Sequence, residues 1–341
     1  MKKMFVIILP LILIFFTLAA CATTQMLKKE EKVVPATTQG TTGSDKNEFR
    51  TALVASNISD PFNFWFVSEM KKSARQYATT FTLDILDSQD DSEKQNSLIE
   101  ACITERYDCI IIQPKYFFDQ KPYIQKAIDE GIKCMIINAY VEGARGFSTV
   151  DANPYEQGAI LANAAMKDVP KYGKAMILTS HPRNGISSYQ AFTDIFVMQR
   201  PDVNIVNDKI CSLDMNTNIN DIKNFMKIRG RFDCVLSDSD ALSMAGEIAV
   251  RDNPDFMNVI FYGEGGFPGA LIDIKARRYT GTCLIDPAQL AQKCIKAAND
   301  LLEGTQTEIH DNIEPIYVDK TNVSDWLQKY VVYGNFKYSV K

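Results

Sequence analysis

The chain has 341 residues, 46% of them hydrophobic, with 37 Lys and Arg against 42 Asp and Glu for a formal net charge of -5. That composition excludes a disordered chain, and a mildly acidic balance with no basic stripe excludes a nucleic-acid-binding surface. Two histidines, His181 and His310, and eight cysteines without C-x-x-C spacing supply no metal site, and no motif asks for a cofactor.

Lys2 and Lys3 precede an almost unbroken apolar run from Met4 to Thr17, and Leu18-Ala19-Ala20-Cys21 follows. This is the layout of a bacterial lipoprotein signal, in which residues 1–20 are removed and Cys21 becomes the acylated first residue. The run is shorter than the roughly 20 residues a membrane-spanning helix needs. Residues 21–48 are rich in Thr, Lys, Glu and Gly and carry no aromatic residue, which predicts a flexible tether. The expected location is the cell envelope, on the extracytoplasmic side of a bacterial membrane and attached through the lipid. The seven cysteines other than Cys21 cannot all pair; Cys102, Cys109, Cys134, Cys234 and Cys283 fall on apolar faces or strand-like runs and read as small buried hydrophobes.

The remaining chain of roughly 290 residues is long enough for two domains. From Arg50 onward short apolar runs alternate with amphipathic stretches, the pattern of βαβ units. Strands are expected at 51–56, 82–86, 109–113 and 134–138, with helices between them. The first helix is expected over Phe64–Tyr77; the second opens with Ser92 three residues before Gln95, a capping-box arrangement; the third ends at Gly131. The pattern restarts after Asp151, where Asn153-Pro154 caps a helix to about Lys167, followed by strands at 175–179, 205–211, 234–237, 259–262 and 281–284. Two successive open α/β sheets follow.

In open parallel sheets ligands bind beyond the carboxyl ends of the strands, so the residues there are the candidates for chemistry. The first such loop, Ser56-Asn57-Ile58-Ser59-Asp60-Pro61-Phe62-Asn63-Phe64-Trp65-Phe66, combines hydroxyls, amides, a carboxylate and four aromatic rings. Such a mixture suits a sugar, whose hydroxyls need polar partners and whose C–H face stacks on a ring; Phe62 and one of Phe64 or Trp65 are placed for this. The same aromatics could simply pack the helix, and Asp60 could be a turn residue before Pro61.

From this loop onward the chain resembles the type 1 periplasmic sugar-binding proteins of ABC transporters, relatives of the ribose- and galactose-binding proteins. The resemblance runs from residue 50 to about 331 through "ALVASNISDPFNFW", "LDILDSQDDSEKQNSLIEACITERYDCIIIQP", "VDANPYEQGAILAN", "SDSDALSMAGEIAV", "GEGG", "LIDPAQLAQKC" and "TNVSDW", in family order. It implies two doubly wound parallel-sheet lobes joined by three crossovers near Asp151, Ile285 and Pro315. One lobe would comprise 49–151 plus 286–314, and the other 152–285 plus 315–341.

The resemblance also implies ligand positions at Ser56, Asp60, Phe62, Asn63, Gln113, Asn138, Ser188, Met215, Asp238, Glu264 and Ile285, with Trp65, Tyr140 and Asp286 beside them. This chain departs from the family where Asn138-Ala139 replaces a usual Asp-Arg pair and Ser188 stands near another usual arginine. Three carboxylates, Asp60, Asp238 and Glu264, then face the ligand with no aligned arginine, which favours a polyol, a donor-rich neutral sugar or an amino-bearing ligand over an acid. Aspartates after strands also serve as helix N-caps, a role open to Asp240 as well.

The function so implied is capture of a sugar-like small molecule by lobe closure and delivery to an ABC permease, by a monomer without enzymatic activity. Presentation of the solute to a sensor kinase or chemoreceptor is the alternative, and acid–base action of Asp238 and Glu264 on a glycoside is the remote one. A related repressor would need a helix-turn-helix where this chain has an export signal.

Overall fold

The computed structural model describes residues 48–180, 186–212 and 214–337. The leader, Cys21, nearly all of the tether and His181 lie outside the described residues.

The first lobe is built from β1 (Phe49–Ala55), α1 (Pro61–Ala74), β2 (Phe81–Asp87), α2 (Ser92–Thr104), β3 (Cys109–Ile112), α3 (Phe117–Asp129), β4 (Lys133–Ile137) and β5 (Ser148–Asp151). The second contains α4 (Pro154–Asp168), β6 (Lys174–Thr179), α5 (Ser188–Ala191), β7 (Asn204–Ile210), α6 (Met215–Arg229), β8 (Cys234–Ser237), α7 (Asp240–Val250), β9 (Ile260–Glu264), α8 (Pro268–Lys275) and β10 (Gly281–Leu284). The chain then returns to the first lobe through α9 (Pro287–Leu302) and β11 (His310–Asn312), and ends in the second with β12 (Ile316–Asp319) and α10 (Val323–Tyr333).

Two six-stranded sheets result, in the orders β11-β5-β4-β3-β1-β2 and β12-β10-β9-β8-β6-β7. All pairings are parallel except β10 with β12. Central strands such as Cys109–Ile112 and Cys234–Ser237 are buried along their whole length, which is why they read as unbroken apolar runs. Cys102, Cys109, Cys134, Cys234, Cys283 and Cys294 are buried, and burial raises the thiol pKa of each, so they behave as packing groups.

Three strands, β5, β11 and β12, fall outside the apolar runs of the sequence. They are three or four residues long and polar in part, because each lies at or next to a sheet edge where a continuous apolar run is not required. The cap of α2 is Asp91, whose carboxylate accepts from the Lys94 N–H at 3.0 Å, and not Ser92. Gln95 is instead buried, donating to the Gln113 carbonyl and accepting from the Lys115 N–H. Gly131 does leave α3 at φ 84°, and Asn153 caps α4 by accepting from the Tyr155 N–H.

The chain passes between the sheets after β5, after β10 and after β11. A further contact joins the lobes. Trp65 of α1 is 2% exposed and belongs to the core of the second lobe, with ring centroids 6.3, 5.5 and 5.5 Å from Trp326, Tyr330 and Tyr333 of α10.

Candidate functional site

The carboxyl ends of both sheets open into one cleft of about 1120 Å³. The first lobe brings Ser56 from the end of β1, Asp60, Phe62 and Asn63 from the start of α1, Gln113 from the end of β3, and Asn138 and Tyr140 from the end of β4. The second lobe faces them with Ser188 of α5, Asp238 after β8 and Glu264 at the end of β9, and Ile285 stands in the second crossover.

The wall from the first lobe is held rigid by its own hydrogen bonds. Gln113, 4% exposed, donates through Nε2 to Asn63 Oδ1 at 2.8 Å and accepts through Oε1 from the Ser56 hydroxyl at 3.1 Å and the Ser56 N–H at 3.3 Å. Asn63 in turn donates to the Asn57 carbonyl at 2.9 Å. These amides position one another, so the network pre-organises the wall. Asp60 caps α1, accepting from the N–H groups of Phe62 and Asn63. Asn138 adopts φ 51°, a left-handed conformation that asparagine tolerates, at the turn out of β4.

The wall from the second lobe concentrates carboxylates. Asp238 accepts from the Ser180 N–H at 2.8 Å and from its hydroxyl at 3.3 Å. Glu264 accepts from the Ser188 hydroxyl through Oε2 at 3.0 Å, and that hydroxyl also lies 3.0 Å from the Pro154 carbonyl. Part of the Glu264 residue reaches the cleft, yet its Oε1 is closed off from solvent and has no hydrogen-bond partner. Burial lifts the Glu264 carboxyl well above the usual range and the neighbouring Asp238 and Asp240 charges raise it further, against the Ser188 hydrogen bond.

Close packing sets Ser188 in place: a Cβ on Gly158 of α4 would come within 2.6 Å of the Ser188 Cα. Asp240 supports Glu264 from behind. It is the first residue of α7, whose cap is Ser239, and it is fully buried. Its carboxylate accepts from the Gly266 N–H at 2.7 Å and from the Tyr279 and Thr282 hydroxyls, each at 2.9 Å. Burial pushes its pKa up to about 6, opposed by these bonds. Gly266 itself sits at φ 65°, where any Cβ would meet Leu284 at 2.2 Å, so only glycine lets the loop after Glu264 turn toward Asp240.

Three residues expected near the ligand are placed elsewhere. Trp65 is buried against α10 because α1 begins at Pro61, four residues earlier, which puts Trp65 in the second turn and turns it from the cleft. Met215 opens α6 and packs on the core of the second lobe. Asp286 is the N-cap of α9, accepting from the Ala288 N–H at 2.9 Å.

Conversely, the cleft includes residues not singled out from sequence, among them Lys115, Phe117, Phe118, Glu142, Gln157 and Phe267. The most consequential is Asp151, the last residue of β5, which burial pushes up to about 7 against one backbone hydrogen bond from Ala152. Its signal was position: it ends a strand at a crossover. That strand was too short and polar to recognise beforehand.

Among the described residues no group of His, Cys, Asp and Glu has the arrangement of a metal site, and no helix is long and apolar enough to cross a membrane.

Comparison with known proteins places this geometry. The model of the periplasmic binding protein domain matches residues 51–306. The ribose import binding protein RbsB of Bacillus subtilis (strain 168) is 21% identical over 274 residues, covering 80% of this chain and 88% of the relative. An ABC transporter solute-binding protein from Bacillus halodurans C-125, solved with myo-inositol, superposes with a TM-score of 0.71 at 20% identity over 84% of this chain and 100% of its own. A periplasmic ribose ABC transporter protein from Conexibacter woesei DSM 14684 gives a TM-score of 0.73 at 17% identity, covering 84% and 97% of the two chains. With two parallel-sheet lobes, three crossovers and a family match spanning most of its length, the chain belongs to the periplasmic binding protein domain family.

Proposed function

We propose that the protein is an extracytoplasmic solute-binding protein that captures a sugar or cyclitol by closure of its lobes and delivers it to an ABC permease. Cys21 serves as its lipid anchor and residues 21–48 as its tether. The observation that carries the reading is the cleft between the strand ends, where a rigid amide-and-hydroxyl wall faces Asp238 and Glu264. Relatives named for ribose, and a neighbour holding myo-inositol, support the ligand class. The lobes are assigned as 49–151 plus 286–314 and 152–285 plus 315–341, and the monomer is the working unit.

Binding proceeds by differential contact. In the open form each wall is solvated; in the closed form a solute bridges them, and the contacts it makes to both lobes at once set the closed population. The Gln113–Asn63–Ser56 network needs no rearrangement, so little ordering cost falls on that wall. The chemistry asked of Glu264 and Asp238 is acceptance and donation of hydrogen bonds, and no bond of the solute is broken.

A thermal-shift screen of the purified protein against pentoses, hexoses, polyols, cyclitols, amino sugars and nucleosides tests this. A ligand at about 100 times its Kd adds about 2.7 kcal/mol of stability, enough to raise Tm by several degrees. The shift is expected to vanish in Glu264→Ala. Silence across every class, or a hit untouched by Glu264→Ala and Asp238→Ala, would refute the assignment of this cleft.

A further inference from the structure

The described charged residues of the cleft differ in how far their needs are met. Asp60 is committed to the start of α1, Asp238 to Ser180, and Glu142 accepts from the Ile186 N–H across the cleft at 3.3 Å. Lys115, which also lines the cleft, donates to the Asp90 carbonyl and lies 3.8 Å from the Asp90 carboxylate. Two further carboxylates have a single hydrogen-bond donor each among the described residues. Glu264 has only the Ser188 hydroxyl on Oε2, with Oε1 closed off and unpartnered, and Asp151 has only the Ala152 N–H. One belongs to the second lobe and the other ends β5 at a crossover, and both line the cleft.

A neutral polyol would offer these groups hydroxyl donors but no charge, leaving buried carboxylates uncompensated once the lobes close. An ammonium group brings a positive charge and three donors, and hydrogen bonds between ionised partners are about twice as strong as neutral ones. The rest of the lining agrees. Phe62, Phe117, Phe118, Tyr140 and Phe267 supply aromatic faces, which attract a cation as well as the C–H face of a ring.

We infer that the solute is an amino-substituted sugar or cyclitol, and that Glu264 and Asp151 select its protonated nitrogen. This rests on the solute-binding reading above and narrows it. Glu264 is the contact residue, since it lines the cleft with a single hydrogen-bond donor on its carboxyl group, while Asp151 adds a second acidic group from the crossover. Ser188, Asp238 and Asp240 are the polar and charged neighbours of Glu264 in the second lobe. Burial, with those carboxylates, raises the Glu264 pKa, and pairing with an ammonium lowers it again, so binding favours loss of a proton from this group.

Matched pairs test the inference in calorimetry with the full chain: D-glucose against its 2-amino, 3-amino and 6-amino deoxy analogues, and myo-inositol against inosamines. At pH 7 at least one amine is expected to bind about tenfold or more tightly than its hydroxyl parent, the gain of a charge-assisted over a neutral hydrogen bond. Its binding enthalpy should vary with the ionisation enthalpy of the buffer, reporting proton release, whereas that of the parent should not. In Glu264→Gln the ratio of amine to parent affinity should collapse to within about twofold, whatever loss the two share, and Asp151→Asn should lower that ratio partially. Glu264→Asp, which keeps the charge, guards against a variant that merely disturbs the fold. If parents bind and no amine surpasses its parent, the inference falls while the solute-binding reading stands. If nothing in this panel binds, the inference falls, while the solute-binding reading falls only if the wider thermal-shift screen is also silent.

Discussion

Asp240→Ala probes how the second wall of the cleft is held. The substitution removes an acceptor shared by three buried donors, the hydroxyls of Tyr279 and Thr282 and the Gly266 N–H, which keeps a longer bond to the Thr282 hydroxyl at 3.2 Å. Each costs about 1–3 kcal/mol, or about 5 kcal/mol together if the hydroxyls find part of a replacement partner. An opposing term comes from ionisation. Folding raises the Asp240 pKa from 3.8 to about 6, so the stability this group contributes is complete below pH 3.8 and is lost as pH rises through 6. By pH 7 that loss amounts to about 3 kcal/mol, which the alanine variant no longer bears. The net expectation is a destabilisation of about 2 kcal/mol at pH 7 that grows to about 4 kcal/mol at pH 4.5, where most of the ionisation loss is absent. Urea unfolding of the two proteins at both pH values measures this through the midpoint at constant slope. Tyr279→Phe, which removes one of these donors and leaves the two on Asp240 Oδ2 in place, serves as the milder control. A cost for Asp240→Ala that is the same at both pH values, or no larger than that of Tyr279→Phe, would refute the account of a buried carboxylate organising the loop after Glu264.

Two further perturbations address the crossover and the contact between lobes. Asp151→Asn removes a carboxyl whose pKa folding raises from 3.8 to about 7, so its stabilisation is present below pH 3.8 and disappears as pH climbs toward 7. The variant should gain about 1–3 kcal/mol on the wild type between pH 4.5 and pH 7.5, a range discounted for the partial exposure of Asp151, and parallel stability curves would count against it. Trp65→Ala empties a site packed between α1 and α10 and should cost about 3–5 kcal/mol in calorimetric unfolding, with Trp65→Phe costing less. A loss below about 1 kcal/mol would show that Trp65 is not a structural tie between the lobes.

Much of the architecture was legible because local chemistry writes it directly into the chain. Buried parallel strands need apolar residues on both faces, so β3, β4 and β8 stand out as runs such as Cys-Ile-Ile-Ile. The Asn153-Pro154 pair announces α4 for an equally local reason, since the cap and first turn depend on neighbours in sequence. The same grammar explains an error. Asp286-Pro287 is another cap-and-proline pair, yet the acid was read as facing a ligand when its carboxylate is committed to the Ala288 N–H. Trp65 was misplaced because the loop before α1 was read as three residues longer than it is, and a shift of under one turn redirects a side chain from cleft to core.

By itself the sequence determined the α/β class, the order of most strands and helices, the polar strand ends and the excess of acids over bases near them, all properties set within a few residues. Tertiary structure alone decided which acids are committed to helix caps and which remain uncompensated. Asp60 and Asp286 satisfy backbone donors beside them, Asp240 gathers donors from segments 26 to 42 residues away, and Glu264 and Asp151 line the cleft with no counter-charge among the described residues. The physical reason is that burial and pairing of a carboxylate depend on groups distant in sequence, whereas its presence at a strand end depends only on its neighbours.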